Sequence, residues 1–136
     1  MTDVAANTNP PVDPELEQIV ATIVEAGFKV HRALGSGLLE SAYERCFAYE
    51  LGEHGLKIRR QVPVAITYGR LKIDAAYRTD LLVEERVIVE VKAAEALTPT
   101  HQAQLLTYLK LANLRLGLLM NFNAPLLKQG IKRLVR

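Results

Sequence analysis

Three acids and one lysine stand out in this sequence because of the company they keep. Asp80 interrupts the apolar run Arg78-Thr79-Asp80-Leu81-Leu82-Val83, and Glu90 interrupts Val87-Ile88-Val89-Glu90-Val91, with Lys92 directly after. Both runs read as strands, and Glu84-Glu85-Arg86 between them reads as a tight reversal. A hairpin turning there brings the two carboxylates roughly level on neighbouring strands, ~4.8 Å apart. Level carboxylates within apolar strands repel, so the pair either keeps a proton or calls for a compensating cation. A divalent ion supplies that charge and accepts hard oxygen ligands. Lys92 shares the face of Glu90, ~6.6 Å further along the strand. Its ammonium can neutralise the pair, orient or deprotonate a water, or steady charge on a phosphate. Glu40, from a helix, can add a ligand through water. Such a set suits metal-assisted hydrolysis of a phosphodiester. It also suits a purely structural ion-pair network at the end of a sheet, and E-x-K within a strand does not decide between the two.

The elements that must position these residues are legible from periodicity. Asp13-Pro14 is a cap followed by proline at the first helical position, and Leu16, Ile19, Val20, Ile23, Val24 and Val30 repeat at three and four. Gly35 and Gly37 interrupt the pattern. Ser36 is placed to cap a second helix from about Leu38 to Glu53, with Leu39, Tyr43, Cys46, Phe47 and Leu51 on its buried stripe and Glu40 flanking it. After Gly55 the period becomes two: Ile58, Val62, Val64, Ile66 and Tyr68 mark a first strand, irregular or at a sheet edge around Gln61-Val62-Pro63 because proline cannot donate to a ladder. A second strand covers about Ala76 to Val83, with Tyr77, Thr79, Leu81 and Val83 on one face and Arg78, Asp80 and Leu82 on the other. The third is Val87 to Val91. Thr98-Pro99 opens a helix to about Leu111, with Leu105, Tyr108, Leu109 and Ala112 on one side. Leu114 to Phe122 is apolar enough for a central strand. The tail from Leu126 fits either a short strand or a helical stripe.

The chain of 136 residues, 49% hydrophobic and 24% charged, is ordinary globular usage and most naturally one domain, residues 13–136, behind a flexible polar leader at 1–12. The leader carries no secretory pattern, and no run is long enough to span a membrane. A lone cysteine, Cys46, permits no internal disulfide; it reads as a buried small hydrophobe and fits a cytoplasmic setting. Charge is polarised along the chain. Residues 1–56 carry three Lys/Arg against nine Asp/Glu, a net of −6; residues 57–100 carry eight against six, +2; residues 101–136 carry six against none, +6. The basic end can attract an anionic polymer, and equally can be a solvated face or half of a complementary dimer. Arg59-Arg60, Arg115 and Lys132-Arg133 are candidate backbone contacts, His101 a candidate phosphate contact, and His31 a packing or surface group. The three histidines form no zinc spacing.

Several separated blocks narrow the choice. Gly37-Leu38-Leu39-Glu40-Ser41-Ala42-Tyr43 fits G-x-x-E-x-x-Y and follows Val30-His31-Arg32-Ala33-Leu34-Gly35. The blocks around Asp80 and Val89-Glu90-Val91-Lys92 come next, then Gln104-Leu105-Leu106-Thr107-Tyr108, Gly117-Leu118-Leu119-Met120-Asn121-Phe122 and Gly130-Ile131-Lys132-Arg133. In this order, across roughly residues 14–135, they resemble the GxxExxY protein family, small bacterial and archaeal proteins of the PD-(D/E)xK restriction-endonuclease-like superfamily.

The resemblance implies an α/β fold with a mixed sheet, built from helices, three strands, a helix and a strand, with a short C-terminal strand in addition. It implies that Asp80 and Glu90 are the metal-binding acids, Lys92 the catalytic lysine and Glu40 the helix acid. Gln104 and Tyr108 fall on a Q-x-x-x-Y helix signature; as i,i+4 partners Gln104 can position a water or phosphate oxygen, while Tyr108 can equally be core packing. The implied activity is a Mg²⁺- or Mn²⁺-dependent nuclease acting on DNA rather than RNA. The alternative is a non-catalytic nucleic-acid-binding or protein-interaction module on the same fold. A domain this small has little surface for a long target, so a homodimer or a partner protein is expected. Ser36 stands where the family's G-x-G turn is expected to hold proline.

Overall fold

Asp13 caps the first helix, α1 (Pro14–Leu34), by accepting the Leu16 N–H at 2.8 Å, and Glu15 and Glu17 in the first turn complement the helix dipole. The computed structural model describes residues 10–136. After α1 come α2 (Glu40–Glu53), β1 (Ile58–Tyr68), β2 (Leu71–Val83), β3 (Val87–Lys92), α3 (Pro99–Ala112), β4 (Leu116–Asn121), a 3-10 turn at Leu127–Gly130, and β5 (Ile131–Val135). The five strands form one sheet in the order β1-β2-β3-β4-β5. Only β3 and β4 are parallel, and α3 is the crossover between them. The remaining pairs are antiparallel. This is the mixed α/β architecture the resemblance implies, and the tail takes the strand, pairing Leu116 with Val135 through Met120 with Ile131.

Helices cover both faces, which is why β3 and β4 are apolar without alternation. On one face α1 and α2 bury Leu16, Val20, Ile23, Tyr43, Phe47 and Leu51 against Leu81, Val83, Val87, Val89, Val91 and Leu118. On the other, Leu105, Tyr108 and Leu109 of α3 cover Leu82, Ile88 and Leu119. Two glycines set the approach. A Cβ on Gly27 would stand 2.5 Å from the Met120 Cε, and one on Gly117 would stand 2.9 Å from a Leu105 methyl, so both helices pack closely because those side chains are absent. Among the described residues, no helix is long and apolar enough to cross a membrane.

The turn into α2 differs from expectation. The helix starts at Glu40 and not at Leu38, and neither Ser36 nor any other side chain caps it. Tyr43 stabilises the turn instead. Its hydroxyl donates to the Gly35 carbonyl at 2.6 Å and accepts the Leu38 N–H at 3.1 Å, across a loop whose Gly35 and Gly37 have φ of 69° and 103°. The spacing G-x-x-E-x-x-Y therefore has a local meaning: a positive-φ glycine, a first-turn acid, and a tyrosine that ties the loop back onto the helix. The buried stripe of α2 is also rotated, towards Glu44 and Ala48. Leu39 is consequently 78% exposed, and Cys46 is exposed and not buried. Ala112 at the end of α3 is likewise exposed. Of the expected leader, residues 1–9 lie outside the described residues; the Pro10 and Pro11 carbonyls accept from Arg115 at 2.6 and 3.1 Å, and Val12 packs on the core.

Replacing Tyr43 by phenylalanine keeps the ring stacked on Phe122, 5.1 Å between centroids, and removes both hydrogen bonds. Tyr43→Phe is expected to lower the unfolding free energy by about 1–3 kcal/mol in urea denaturation, whereas Tyr49→Phe, on an exposed side chain, leaves it unchanged.

Candidate active site

The β2–β3 hairpin closes through Val83 and Arg86, with Glu84 and Glu85 at φ of 53° and 57°. Left-handed backbone is costly for residues with a Cβ, and here the surroundings hold it. Glu84 exchanges two bonds with Lys57, its carboxylate accepting the Lys57 N–H at 2.6 Å and its N–H donating to the Lys57 carbonyl at 2.8 Å. Arg59 forks onto Glu85 at 2.8 and 2.9 Å. Arg86 reaches across to Asp13 and Glu15, tying the turn to the start of α1. The register so fixed is Val83↔Val87, Leu82↔Ile88 and Leu81↔Val89, which places Asp80 opposite Glu90.

At that point the ladder stops. The Val91 N–H donates to Asp80 Oδ2 at 2.8 Å, and the Asp80 N–H donates to Glu90 Oε2 at 3.0 Å. Each carboxylate thus occupies the place of a backbone carbonyl on the strand opposite. The pleat of β2 also turns over here. Leu81 packs towards α1 and α2, yet Tyr77, of the same parity, meets Tyr108 of α3, and Thr79 lines a cavity with Leu82 and Ile88. Gln61, across from Asp80 on β1, has φ of 52° and is missing from an otherwise continuous register between Arg60↔Leu81 and Val62↔Thr79. The expectation that Tyr77, Thr79, Leu81 and Val83 share one face is therefore corrected, because paired irregularities at Gln61 and Asp80 reverse the strand.

Burial makes the acids reluctant to ionise. Glu90 is 5% exposed. Its pKa is pushed up to about 8, chiefly by burial and then by the Asp80 charge, against the Asp80 N–H bond and Lys92. Asp80 is pushed up to about 6 by burial, with Glu44 and Glu40 adding to the effect and the Val91 N–H and Lys92 opposing it. Lys92, half-buried at the end of β3, is the cation acting on both. Its backbone is pinned by the Phe122 N–H, and the buried Asn121 side chain staples the segment that follows through Ala94.

The remaining expected residues are distributed around this pair. Glu40 is exposed at the start of α2, its Oε2 3.4 Å from the Ala93 N–H, within electrostatic reach of both strand acids. Tyr108 is buried against Tyr77, and its hydroxyl is pushed up by burial, then by Glu90, Tyr77 and Asp80. Gln104, one turn earlier, is exposed and makes no hydrogen bond to the acids. Among the described residues, no three Asp, Glu, His or Cys side chains form a group that could hold a metal ion. The expected trio of Asp80, Glu90 and Glu40 is not preassembled, because each carboxylate is drawn to a backbone N–H.

Two participants escape sequence reasoning. Glu44, 5% exposed on α2, accepts from Arg60 at 3.0 Å and from Gln61 Nε2 at 2.8 Å, and the same Gln61 nitrogen lies 3.5 Å from Asp80 Oδ1. Gln61 thereby links a helix acid to a strand acid. The sequence signal for Gln61 is the irregularity expected near Pro63, and Glu44 carries none. Several basic candidates, conversely, are engaged within the fold: Arg59 with Glu85, Arg60 with Glu44, Arg115 with the Pro10 and Pro11 carbonyls, and Arg133 with Glu17. His101 completes the capping box of α3 with Thr98, and His31 bonds the Ala124 carbonyl at 2.9 Å.

The family model described as the PD-(D/E)XK nuclease superfamily matches residues 17–134. The chain belongs to the PD-(D/E)XK nuclease superfamily. Its helix-helix-strand-strand-strand-helix-strand order is the restriction-endonuclease-like core of that superfamily. No curated protein and no solved structure matches it. Asp80 lies in β2 and Glu90-Val91-Lys92 in β3 of this core.

The raised Glu90 pKa makes stability depend on pH. Between about 4.5 and about 8 the folded chain keeps a proton that the unfolded chain releases, so stability falls as pH rises through that window. Glu90→Gln is expected to raise the midpoint of thermal unfolding in chelator most above about pH 8, and to leave it unchanged below about 4.5. A gain independent of pH would show that burial of the charge is not its source.

Proposed function

We propose that the protein is a nuclease that hydrolyses phosphodiester bonds with Mg²⁺ or Mn²⁺, on DNA in preference to RNA. The observation that carries this reading is the level pair of half-buried Asp80 and buried Glu90, short of positive charge and followed on the same strand by Lys92. Two hard carboxylates fit a small divalent ion, which ordinarily takes one or two of them and fills its shell with water and phosphate oxygens. Asp80 and Glu90 would hold it, with Glu40 contributing through water. When bound, such an ion polarises a phosphoryl oxygen and lowers the pKa of its water.

The chain's own residues supply the rest. Half-buried Asp80 and buried Glu90 stand where water is largely excluded, so a divalent cation that displaces their protons is held more strongly than it would be in open solvent. Lys92 places an ammonium beside them to bind a phosphate oxygen and offset the charge that develops there. The Gln61 to Glu44 link holds Asp80 from its far side. Lys132, which makes no ion pair among the described residues, offers sequence-independent backbone attraction.

The absence of a ready three-acid cage among the described residues favours a second reading, a non-catalytic module that keeps the fold. Purified protein incubated with single-stranded, duplex, nicked and branched DNA is expected to cleave only with Mn²⁺ or Mg²⁺. Asp80→Ala and Lys92→Ala are each expected to reduce the rate by at least about a hundredfold. Calorimetric titration with Mn²⁺ separates the readings: uptake lost in Asp80→Ala supports the nuclease, and no uptake by the parent supports the module.

A further inference from the structure

Beyond Gln61 and Asp80 the β1–β2 hairpin leaves the sheet as an arm that bends towards α3. It carries apolar groups that nothing covers: Tyr68 is 80% exposed, Leu71 58%, Ile73 43% and Tyr77 48%. Between the arm and α3 lies a cleft of about 360 Å³, with Ile66 and Tyr77 on the arm side, Thr100, Gln104 and Thr107 on the helix side, and Tyr108 shared with the acid site. Tyr108 is close enough to Glu90 and Asp80 to feel both charges, so the cleft opens beside the acid pair. Tyr77 meets Tyr108 tilted by 42° at 5.7 Å, not stacked on it, which leaves aromatic surface for a guest.

The chemistry of the walls selects that guest. They offer aromatic and aliphatic surface with two threonine hydroxyls, two phenol hydroxyls and one amide, and no formal charge. The charge surrounds them: the arm bears Arg70, Lys72 and Arg78 against Asp74, and α3 contains no acidic residue at all. Arg78 has no ion-pair partner among the described residues, and Lys72 meets only Asp74, at 3.8 Å. A flat, neutral, hydrogen-bonding ring attached to an anionic chain satisfies both the cleft and its rim. A base in a duplex has both faces covered and cannot enter a concave site without leaving the stack.

We infer that the cleft between the arm and α3 receives an unpaired nucleobase, stacked on Tyr77 and bonded at its edge by Gln104, Thr100 or Thr107. The substrate is then a single strand or a single-stranded end, held by one base while the neighbouring phosphate lies at Asp80 and Glu90. This rests on the nuclease reading for its direction of approach, but the base site itself is testable without cleavage.

The test is fluorescence anisotropy in chelator with three labelled probes: a short oligothymidylate, an abasic strand of equal length, and a blunt duplex. The parent protein is expected to bind oligothymidylate about tenfold more tightly than the abasic strand, the scale of one stacked base. Tyr77→Ala is expected to abolish that difference and leave duplex binding unchanged, while Tyr77→Phe retains it. Ala103→Trp, on the exposed side of α3 where it fills the cleft, is expected to act as Tyr77→Ala does, so a folding defect at Tyr77 cannot mimic the result. Equal binding of base-containing and abasic strands, or a Tyr77→Ala protein that binds as the parent does, overturns the inference. Base-dependent binding without Mn²⁺-dependent cleavage upholds the cleft and removes the nuclease reading; cleavage indifferent to Tyr77→Ala and Ala103→Trp does the reverse.

Discussion

The structure turns on one exchange of partners. Where β2 and β3 separate, the Asp80 and Glu90 carboxylates accept the N–H groups of Val91 and Asp80 that a continuing ladder would have engaged. A buried N–H left without a partner is costly, so the strands can part only because acids stand at those positions. The same bonds orient the acids. Everything that fixes the hairpin register serves this exchange, since a slip of one residue would send both carboxylates to the opposite face. The turn is accordingly held from three directions, by Lys57, by Arg59 and, from α1, by Asp13 and Glu15 through Arg86.

Charge explains what the hydrogen bonds leave open. Glu90 lies among apolar side chains with Asp80 opposite, Glu40 beyond the strand end and Glu44 behind Gln61, and Lys92 is the cation that acts on both strand acids. Without a further positive charge the site economises by holding protons. A divalent ion or the cationic face of a substrate complex would displace them, so occupancy of the site and its protonation are linked.

Much of this was legible in the sequence, and for identifiable reasons. Apolar runs on both sides of Asp80 and Glu90 announced buried strands, and the reversal at Glu84-Glu85 fixed their relative level. Thr98-Pro99 and Asp13-Pro14 marked helix starts by chemistry that acts within a single turn. The blocks around Glu40 and Gln104 supplied the family. What was not legible depended on contacts between distant segments. The rotation of α2 that exposes Cys46 follows from how Tyr43 and Phe47 meet Phe122. Glu44 and Gln61 acquire their roles only when α2 is laid beside β1. The reversal of the pleat at Asp80 breaks the period of two at the very residue where the alternation was being used to assign faces.

That reversal divides the β1–β2 hairpin into two parts with separate obligations. On the sheet side of Gln61, Leu81, Leu82 and Val83 of β2 are committed twice, to a ladder and to a core, and neither length nor parity can change without moving an acid. On the far side the strands pair chiefly with each other, through Ile66↔Ile73, Thr67↔Lys72 and Tyr68↔Leu71, beyond a bulge that already absorbs two extra residues of β2. The arm can therefore lengthen, shorten or change composition as a unit while the acids stay in place. Within this fold, the part that fixes the acid pair and the part free to diversify are joined at a single irregular pair of residues.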